Sequence, residues 1–228
     1  DISDKKNYTY IESEGYSNFH PKWSPASNKI AFISDKKNDY FGRSDLYVYS
    51  FDDSSSVKIQ SSVRTAPDWV NDSLLIYSKR SEYNENGSKF FNLYSYDLTL
   101  EEEEQLTEDM RLTNPIYNKE TEQIFAINTF DGTSNIIAGN LDFSFFEQLT
   151  DFNDGIQIFS LTIKDSLIIF DAVDNHERNL YFLDIFSRET GLYNAEKWDL
   201  RDPDALFDSQ FIFSNDKSGV FNLYYTNK

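Results

Sequence analysis

Four basic residues lie shortly before the places where repeated units of this sequence begin. Three arginines precede a proline by two to four residues and one histidine directly precedes a proline: Arg64, Arg111, Arg201 and His20. A guanidinium group presents a rigid fork of N–H donors that matches the two oxygens of a carboxylate. If the four segments meet around one opening, they form a basic collar for a carboxylate, an acidic peptide or an anionic sugar. Acidic neighbours such as Asp68, Asp109 and Asp202 support a second interpretation, in which the arginines form ordinary surface ion pairs.

Aromatic residues in two loops of variable length are the second candidate binding feature. They are Tyr40, Phe41, Tyr83 and Phe90. The corresponding loops of the other units are as short as FDGTS, and variable loops on a rigid scaffold often carry binding residues. Because aromatic and arginine side chains are typical anchors of protein interfaces, we expect a protein-binding rim here. Flexible loops without a binding role are the alternative.

Sequence signals for catalysis are sparse. Asp68 and Asp204 each follow a proline that opens a unit, and they are the candidates for two carboxylates facing each other across a channel, as in a glycosidase. The sequence contains no G-x-S-x-G segment, and HERNL at His176 lacks the second histidine of a zinc-protease helix. It contains no cysteine, which excludes disulfides, thiolate metal sites and a cysteine nucleophile. We expect no enzyme activity, no metal and no cofactor, with the glycosidase as the alternative.

The composition indicates an acidic all-β protein. The 228 residues include 21 Lys and Arg against 39 Asp and Glu, a net charge of −18, which repels nucleic acid and anionic membrane surfaces. Aromatic residues make up 17% of the chain, almost all of them Tyr and Phe, which favour strands. No apolar run reaches the roughly 20 residues of a membrane-spanning helix, so we expect no insertion by this segment. The sequence starts with Asp1, and we expect it to be processed or excised from a longer chain.

Three sequence markers recur with one period. The prolines that open the units lie at positions 21, 67, 115 and 203, at intervals of 46, 48 and 88 residues, the last being two periods of 44. A small polar residue followed by two apolar ones recurs at intervals of 43 to 47 residues, at Asp45, Asn92, Asn135, Asn179 and Asn222. The tetrapeptide EQLT occurs twice, 43 residues apart. Such a period indicates a repeat architecture.

Each unit contains the pattern of four strands. A short segment after the proline carries an aromatic residue that we expect to be wedged between blades (Trp23, Trp69, Tyr117, Phe159 and Phe207). A continuous apolar run follows, then the strand that begins with the Asp or Asn marker, then a more polar strand. We expect the acidic run 101–104 to enter an outer strand rather than a helix. Four strands in about 45 residues are typical of a β-propeller blade.

The predicted domain is a single propeller over residues 1–228 with five repeats. The repeats span residues 19–64, 65–111, 112–153, 154–200 and 201–228. The last repeat stops after three strands, and residues 7–12 have the pattern of an outer strand that would complete it. The sequence therefore fits either a closed five-bladed ring or a part of a larger propeller.

The unit resembles the TolB-type β-propeller repeat, whose pattern is P-x-W/F-S-P-D-G, an apolar strand such as I-A-F-x-S, D/N-I/L-Y and a closing Q-L-T. The first unit carries Pro21, Trp23, Ser24, Pro25, Ile30, Ala31, Phe32, Ser34, Asp45, Leu46 and Tyr47. It departs from the pattern at Ala26 and Ser27, where the family has D-G, and the fourth unit lacks the opening proline. The resemblance covers essentially the whole chain.

The resemblance implies a bacterial envelope or secreted protein in which the propeller is a docking platform or a non-catalytic module. We therefore expect a binding scaffold for a protein or peptide, in a periplasmic or extracellular location, as a monomer or as part of a larger chain. Its partner surface would combine the basic collar with the aromatic rim. The alternative is a five-bladed glycosidase with paired carboxylates in the central channel, and a third is a purely structural spacer.

Overall fold

A computed structural model describes residue 11 and residues 15–36, 43–206 and 210–226 of the chain. These ranges contain no helix and 19 strands. In chain order the strands are β1 (Asn18–Trp23), β2 (Lys29–Ser34), β3 (Asp45–Ser50), β4 (Ser55–Ser61), β5 (Asp68–Trp69), β6 (Leu74–Arg80), β7 (Phe91–Asp97), β8 (Glu102–Gln105), β9 (Leu112–Asn118), β10 (Gln123–Asn128), β11 (Asn135–Asn140), β12 (Phe146–Gln148), β13 (Gln157–Lys164), β14 (Leu167–Asp174), β15 (Glu177–Asp184), β16 (Thr190–Asn194), β17 (Leu200–Ala205), β18 (Phe211–Asn215) and β19 (Asn222–Tyr225).

The strands form five antiparallel sheets arranged as a five-bladed propeller. Four sheets have four strands each in sequence order, and the fifth shows β17, β18 and β19 within the described residues. The all-β propeller prediction is confirmed. The acidic run also has the predicted form, since β8 covers Glu102–Gln105 and pairs with β7.

The apolar core lies between neighbouring blades. One cluster joins the first and second blades around Leu46 and Trp69, and the largest cluster joins the third and fourth blades around Phe125 and Phe170. The second and third strands of most blades are packed on both faces, which explains their continuous apolar runs. Buried apolar area of this kind is the main favourable term in folding.

Two expectations about aromatic residues are wrong. Trp69 is buried between blades as predicted, but 56% of Trp23 is exposed and its ring stacks on Phe51. Phe159 is 46% exposed, because a shift of register between Ile158 and Ser160 places it in a bulge. The fourth unit lacks the proline that marks this bulge in other units, so the spacing of the repeats could not reveal the bulge.

The first and fifth blades meet at their innermost strands. Lys22 Nζ on β1 lies 3.3 Å from Asp204 Oδ1 on β17. Of the predicted strand 7–12, the structure describes residue 11 alone, which packs beside Phe32, Tyr47 and Tyr49 of the first blade. The pairing of residues 7–12 with β19 falls outside the described residues and stays a prediction. Phe207 also falls outside them.

In the first four blades, the Asp or Asn marker accepts a hydrogen bond from the connection that leads to the next blade. Asn135 Oδ1 accepts hydrogen bonds from Phe152 N and Thr150 Oγ1, both at 2.8 Å, and Asn135 Nδ2 donates to Phe152 O at 3.0 Å. Asn92 accepts from the N–H of Met110 at 3.1 Å in the same way. At the first blade Asp45 replaces the amide, and Lys58 balances its charge at 2.6 Å. The marker residues are therefore structural, and they hold the loops at the channel mouth.

Replacing Asn135 with alanine is expected to lower the free energy of unfolding by about 1.5 kcal/mol, because it leaves buried partners such as Thr150 without their hydrogen bonds. Chemical denaturation followed by fluorescence measures this change. Asn86→Ala at an exposed loop tip is the matched control and should change stability by less than about 0.5 kcal/mol. Equal losses in the two variants would contradict the structural role of Asn135.

Candidate functional site

The candidate site lies on the innermost strands of the blades, and four of these strands contain a β-bulge at the same place. The register of β1, β9, β13 and β17 shifts by one residue at the position of the opening proline. The residue directly before that proline has a positive φ in three blades, at His20 (53°), Asn114 (50°) and Asp202 (52°). Such a bulge re-aims side chains, and non-glycine residues rarely adopt this conformation. Equivalent residues of different blades therefore lie around the mouth of the central channel.

The residues after the proline form a charged triad in the channel: Lys22, Asp68 and Asp204, from three consecutive blades of the ring. Asp204 Oδ1 lies 3.3 Å from both Lys22 Nζ and Thr162 Oγ1, and it also accepts the Ala205 N–H at 3.0 Å. Asp68 Oδ2 accepts the Tyr117 N–H at 2.8 Å. The triad thus connects the second, third, fourth and fifth blades to the first.

The pKa of Lys22 and the pKa of Asp68 are both raised, for different physical reasons. Burial acts to lower the pKa of Lys22, but attraction to Asp68 and Asp204 outweighs it and raises the pKa above its usual value. Burial raises the pKa of Asp68 and outweighs the attraction of Lys22 and the backbone hydrogen bonds from Tyr117 and Trp69, while repulsion from Asp204 adds a smaller rise. One cation is therefore shared by two acids, and both acids of the predicted carboxylate pair interact with it.

His20 lies on β1, two residues before Lys22 of the triad, and its role at the channel mouth stays a prediction. Its ring contacts Phe19 edge-on with a centroid separation of 5.3 Å. Burial lowers the pKa of His20, while the charge of Asp202 acts to raise it. The histidine is therefore mainly neutral near pH 7 and can donate or accept a hydrogen bond.

Arg111 lies between the loops of two blades. Its guanidinium carbon is 4.4 Å from the centroid of the Phe90 ring and 5.6 Å from that of Phe130, and its Nη1 donates to Phe130 O at 2.9 Å. Phe130 is 66% exposed. The sequence identified Arg111 and Phe90 separately and missed Phe130, which lies in the short loop TFDGTS. The structure brings the three together.

Arg201 forms a similar unit on the fifth blade. Its guanidinium carbon lies 4.5 Å from the centroid of Phe221, and its Nη2 donates to Asp199 at 2.6 Å. The ion pair with Asp199 agrees with the interpretation of ordinary surface pairing, and the role of Arg201 in a basic collar stays a prediction. Arg201 and Arg111 have separate partners on different blades.

Arg64 lies apart from both, in a cleft between the first and second blades. Tyr83 is exposed at the same side, with Lys89 Nζ 4.3 Å from its ring centroid. Tyr40 and Phe41 fall outside the described residues. The four basic residues therefore occupy separate positions around the loop-rich face, and their joint action as one binding site stays a prediction.

Comparisons with known proteins establish the fold. No family model and no curated protein sequence matches the chain. Among solved structures, TolB from Acinetobacter baumannii superposes with a TM-score of 0.73 at 15% identity, over 92% of this chain and 52% of that one. A putative TolB from Agrobacterium tumefaciens gives a TM-score of 0.64 at 17% identity, over 76% of this chain and 63% of that one. This chain has the TolB-type propeller fold.

The TolB-type propeller fold is also present in a protease. The β-propeller domain of the Trilobed protease from Pyrococcus furiosus, described with an open velcro topology, gives a TM-score of 0.62 at 17% identity, over 92% of this chain and 67% of that domain. The present chain spans about half the length of the first TolB structure. The likeness therefore defines the fold and not the function.

Sequence reasoning missed one buried ion pair of this TolB-type propeller. Asp171 on β14 is fully buried and accepts hydrogen bonds from Ser160 Oγ and from Arg178 Nε, the latter at 2.6 Å. Burial raises the pKa of Asp171, against the attraction of Arg178 and the hydrogen bond from Ser160. The Arg178 guanidinium carbon lies 4.3 Å from the centroid of Phe159. The sequence signal for this buried ion pair is Asp171 itself, an acidic residue within the apolar run LIIFDAVD.

No group of three or more His, Asp or Glu side chains within the described ranges is placed to hold a metal ion. The same ranges contain no helix long and apolar enough to cross a bilayer.

Proposed function

We propose that this TolB-type propeller is a non-enzymatic binding module that holds a protein or peptide on its loop-rich face. The observation that carries the proposal is the pairing of exposed aromatic rings with guanidinium groups on three blades: Arg111 with Phe130, Arg201 with Phe221 and Arg178 with Phe159. The loops between second and third strands and the connections into first strands open on one face of a propeller. Rigid aromatic–arginine pairs of this kind are typical anchors of protein interfaces.

The channel carboxylates support the glycosidase alternative less well. A glycosidase needs two carboxyl groups that are free to contact the sugar and a water molecule. Here Lys22 forms an ion pair with Asp204 and interacts electrostatically with Asp68, which also accepts a backbone hydrogen bond. This arrangement suits a structural connection between blades.

The whole protein is proposed to be an envelope or secreted protein, periplasmic or extracellular, in which this propeller is a monomeric unit or one domain of a longer chain. The resemblance to the TolB-type repeat and the partial coverage of TolB support this proposal. The acidic surface, with a net charge of −18, favours solubility and disfavours nucleic acid as a partner.

The double variant Phe130→Ala/Phe221→Ala tests the binding face. Proteins captured from an envelope extract by the immobilised wild type are identified, and the dissociation constant of each is measured with purified protein. We expect binding to weaken at least about tenfold in the variant, since loss of a central anchor costs more than 1 kcal/mol.

Phe186→Ala is the matched control, because Phe186 is an exposed aromatic residue in the turn between β15 and β16, on the opposite face. Equal affinity of the wild type and the double variant would contradict the proposal that this face binds the partner. Turnover of aryl glycosides that disappears in Asp68→Asn would instead support the enzyme alternative.

A further inference from the structure

A cationic cleft lies between the first and second blades of this strongly acidic protein. It has a volume of about 410 Å³ and is lined by five basic side chains and one acidic one: Arg43, Arg64, Lys79, Arg80, Lys89 and Glu82. Its other walls come from the end of β4, the connection that follows it and Phe91. The volume is within the range of small-ligand pockets. Basic residues are thus concentrated here although acidic residues outnumber them almost two to one in the chain.

The two lysines of the cleft have acidic partners that fix their positions. Lys79 Nζ contacts both carboxylate oxygens of Glu103 at 2.6 Å, and Lys89 lies 3.6 Å from Glu82. Lys79 is also 4.4 Å from the centroid of the Tyr94 ring. The lysine charges are therefore largely balanced by these glutamates. The two lysines line the cleft, but they are not the residues that we expect to bind a ligand.

Arg64 and Arg80 differ from the lysines because neither forms an ion pair with any residue in the described part of the chain. The Arg80 guanidinium carbon lies 5.3 Å from the centroid of Phe91, and both arginine side chains are exposed to the cleft. Both guanidinium groups therefore line the cleft without a carboxylate partner among the described residues. An anion that enters the cleft can form charge-assisted hydrogen bonds with them without displacing an existing ion pair.

We propose that this cleft binds the carboxylate groups of an acidic peptide segment, with Arg64 and Arg80 as the residues that recognise them. The guanidinium fork matches a carboxylate with two parallel hydrogen bonds. Phe91 in the wall and the exposed Tyr83, whose ring lies 4.3 Å from Lys89 Nζ, add apolar surface beside the charges. This surface suits a peptide that alternates acidic and apolar side chains. The choice of a peptide rests on the proposed function, and the inference adds the chemistry of the partner.

The net charge of the protein sets the conditions under which this site works. A chain of charge −18 repels an acidic peptide at long range, so recognition depends on contacts inside the cleft. These contacts are screened at higher ionic strength, because the Debye length falls from about 10 Å at 0.1 M salt to about 3 Å at 1 M. We therefore expect affinity for the peptide to fall as salt rises above 0.1 M.

The test is fluorescence anisotropy with a labelled, terminally blocked peptide of alternating Glu and Phe, compared with the same peptide carrying Gln for Glu. We expect the Glu peptide to bind the wild-type protein at least about tenfold more tightly than the Gln peptide, and Arg64→Glu/Arg80→Glu to remove that preference. Arg64→Lys/Arg80→Lys keeps the charge but not the fork, and it should retain only part of the preference.

The control is Lys119→Glu/Arg188→Glu, which makes the same change of net charge in turns on the opposite face and also breaks the exposed ion pair of Arg188 with Glu147. Equal loss in this control would overturn the assignment to the cleft. Equal competition by inorganic phosphate or by a galacturonate trimer would overturn the assignment to a peptide, and so would equal binding of the Gln peptide. The cleft variants leave Phe130 and Phe221 intact. A wrong proposal for the aromatic face and a wrong proposal for the cleft are therefore detected by different variants.

Discussion

Replacing Asp171 with alanine is expected to lower the free energy of unfolding by about 4 kcal/mol, the largest effect of any substitution considered for this protein. Asp171 is fully buried and Arg178 is mostly buried, with 14% of its side chain exposed. Removal of the carboxylate leaves the guanidinium group and the Ser160 hydroxyl without their partner. Urea denaturation measures the change, with an unchanged m-value as evidence that the unfolded states are comparable.

The double variant Asp171→Leu/Arg178→Met separates the ion pair from its surroundings. Since a buried pair can be replaced by apolar side chains of similar volume at little cost, we expect it to recover most of the stability lost in Asp171→Ala. Recovery is incomplete, because Phe159 loses the guanidinium group that stacks on it. A double variant as unstable as the single one would contradict the assignment of the loss to an unpaired buried charge.

The repeated part of the architecture could be predicted from the sequence because the period is expressed in residues that the fold itself requires. Three of the four prolines mark bulges in innermost strands, and in the second and third blades the Thr of EQLT forms a hydrogen bond to the Asn marker. The continuous apolar runs became the second strands. Each of these signals has one local physical cause, so its spacing reveals the fold.

The site could be predicted only in part, because function depends on pairings between blades that no local pattern records. Arg111 was identified from its position before a proline, but its contact with Phe130 joins two loops 19 residues apart. Arg64 was assigned to the same collar, but in the structure it lines a cleft together with Arg80. Phe159 was assigned to the core because a missing proline concealed the bulge that exposes it.

The Lys22 triad in the channel leads to the second large effect, which depends on pH. Lys22→Met is expected to lower the free energy of unfolding by about 2 kcal/mol at pH 7, less than for a fully buried pair because 60% of the Asp204 side chain and 28% of the Lys22 side chain are exposed. A loss of this size corresponds to roughly 5 °C in Tm for a domain of this length. Lys119→Met, at an exposed lysine, is the matched control.

The pH dependence of this loss follows from the pKa shifts of the triad. The raised pKa of Lys22 means that its contribution is present below its ordinary value of 10.5 and is lost as the pH rises through the higher folded value. The raised pKa of Asp68 means that folding favours its protonated form, so its contribution is greatest below 3.8 and is lost as the pH rises through the folded value.

Without Lys22 the ionised Asp68 is buried without its cation and repelled by Asp204, so its pKa rises further. The difference in Tm between wild type and Lys22→Met should therefore be large at pH 7. It should shrink as the pH falls through the raised pKa of Asp68, because protonation removes the negative charge that Lys22 balances. Calorimetry at several pH values between 4 and 8 measures it. A loss that is the same at every pH would contradict the assignment of the effect to the charge of Lys22.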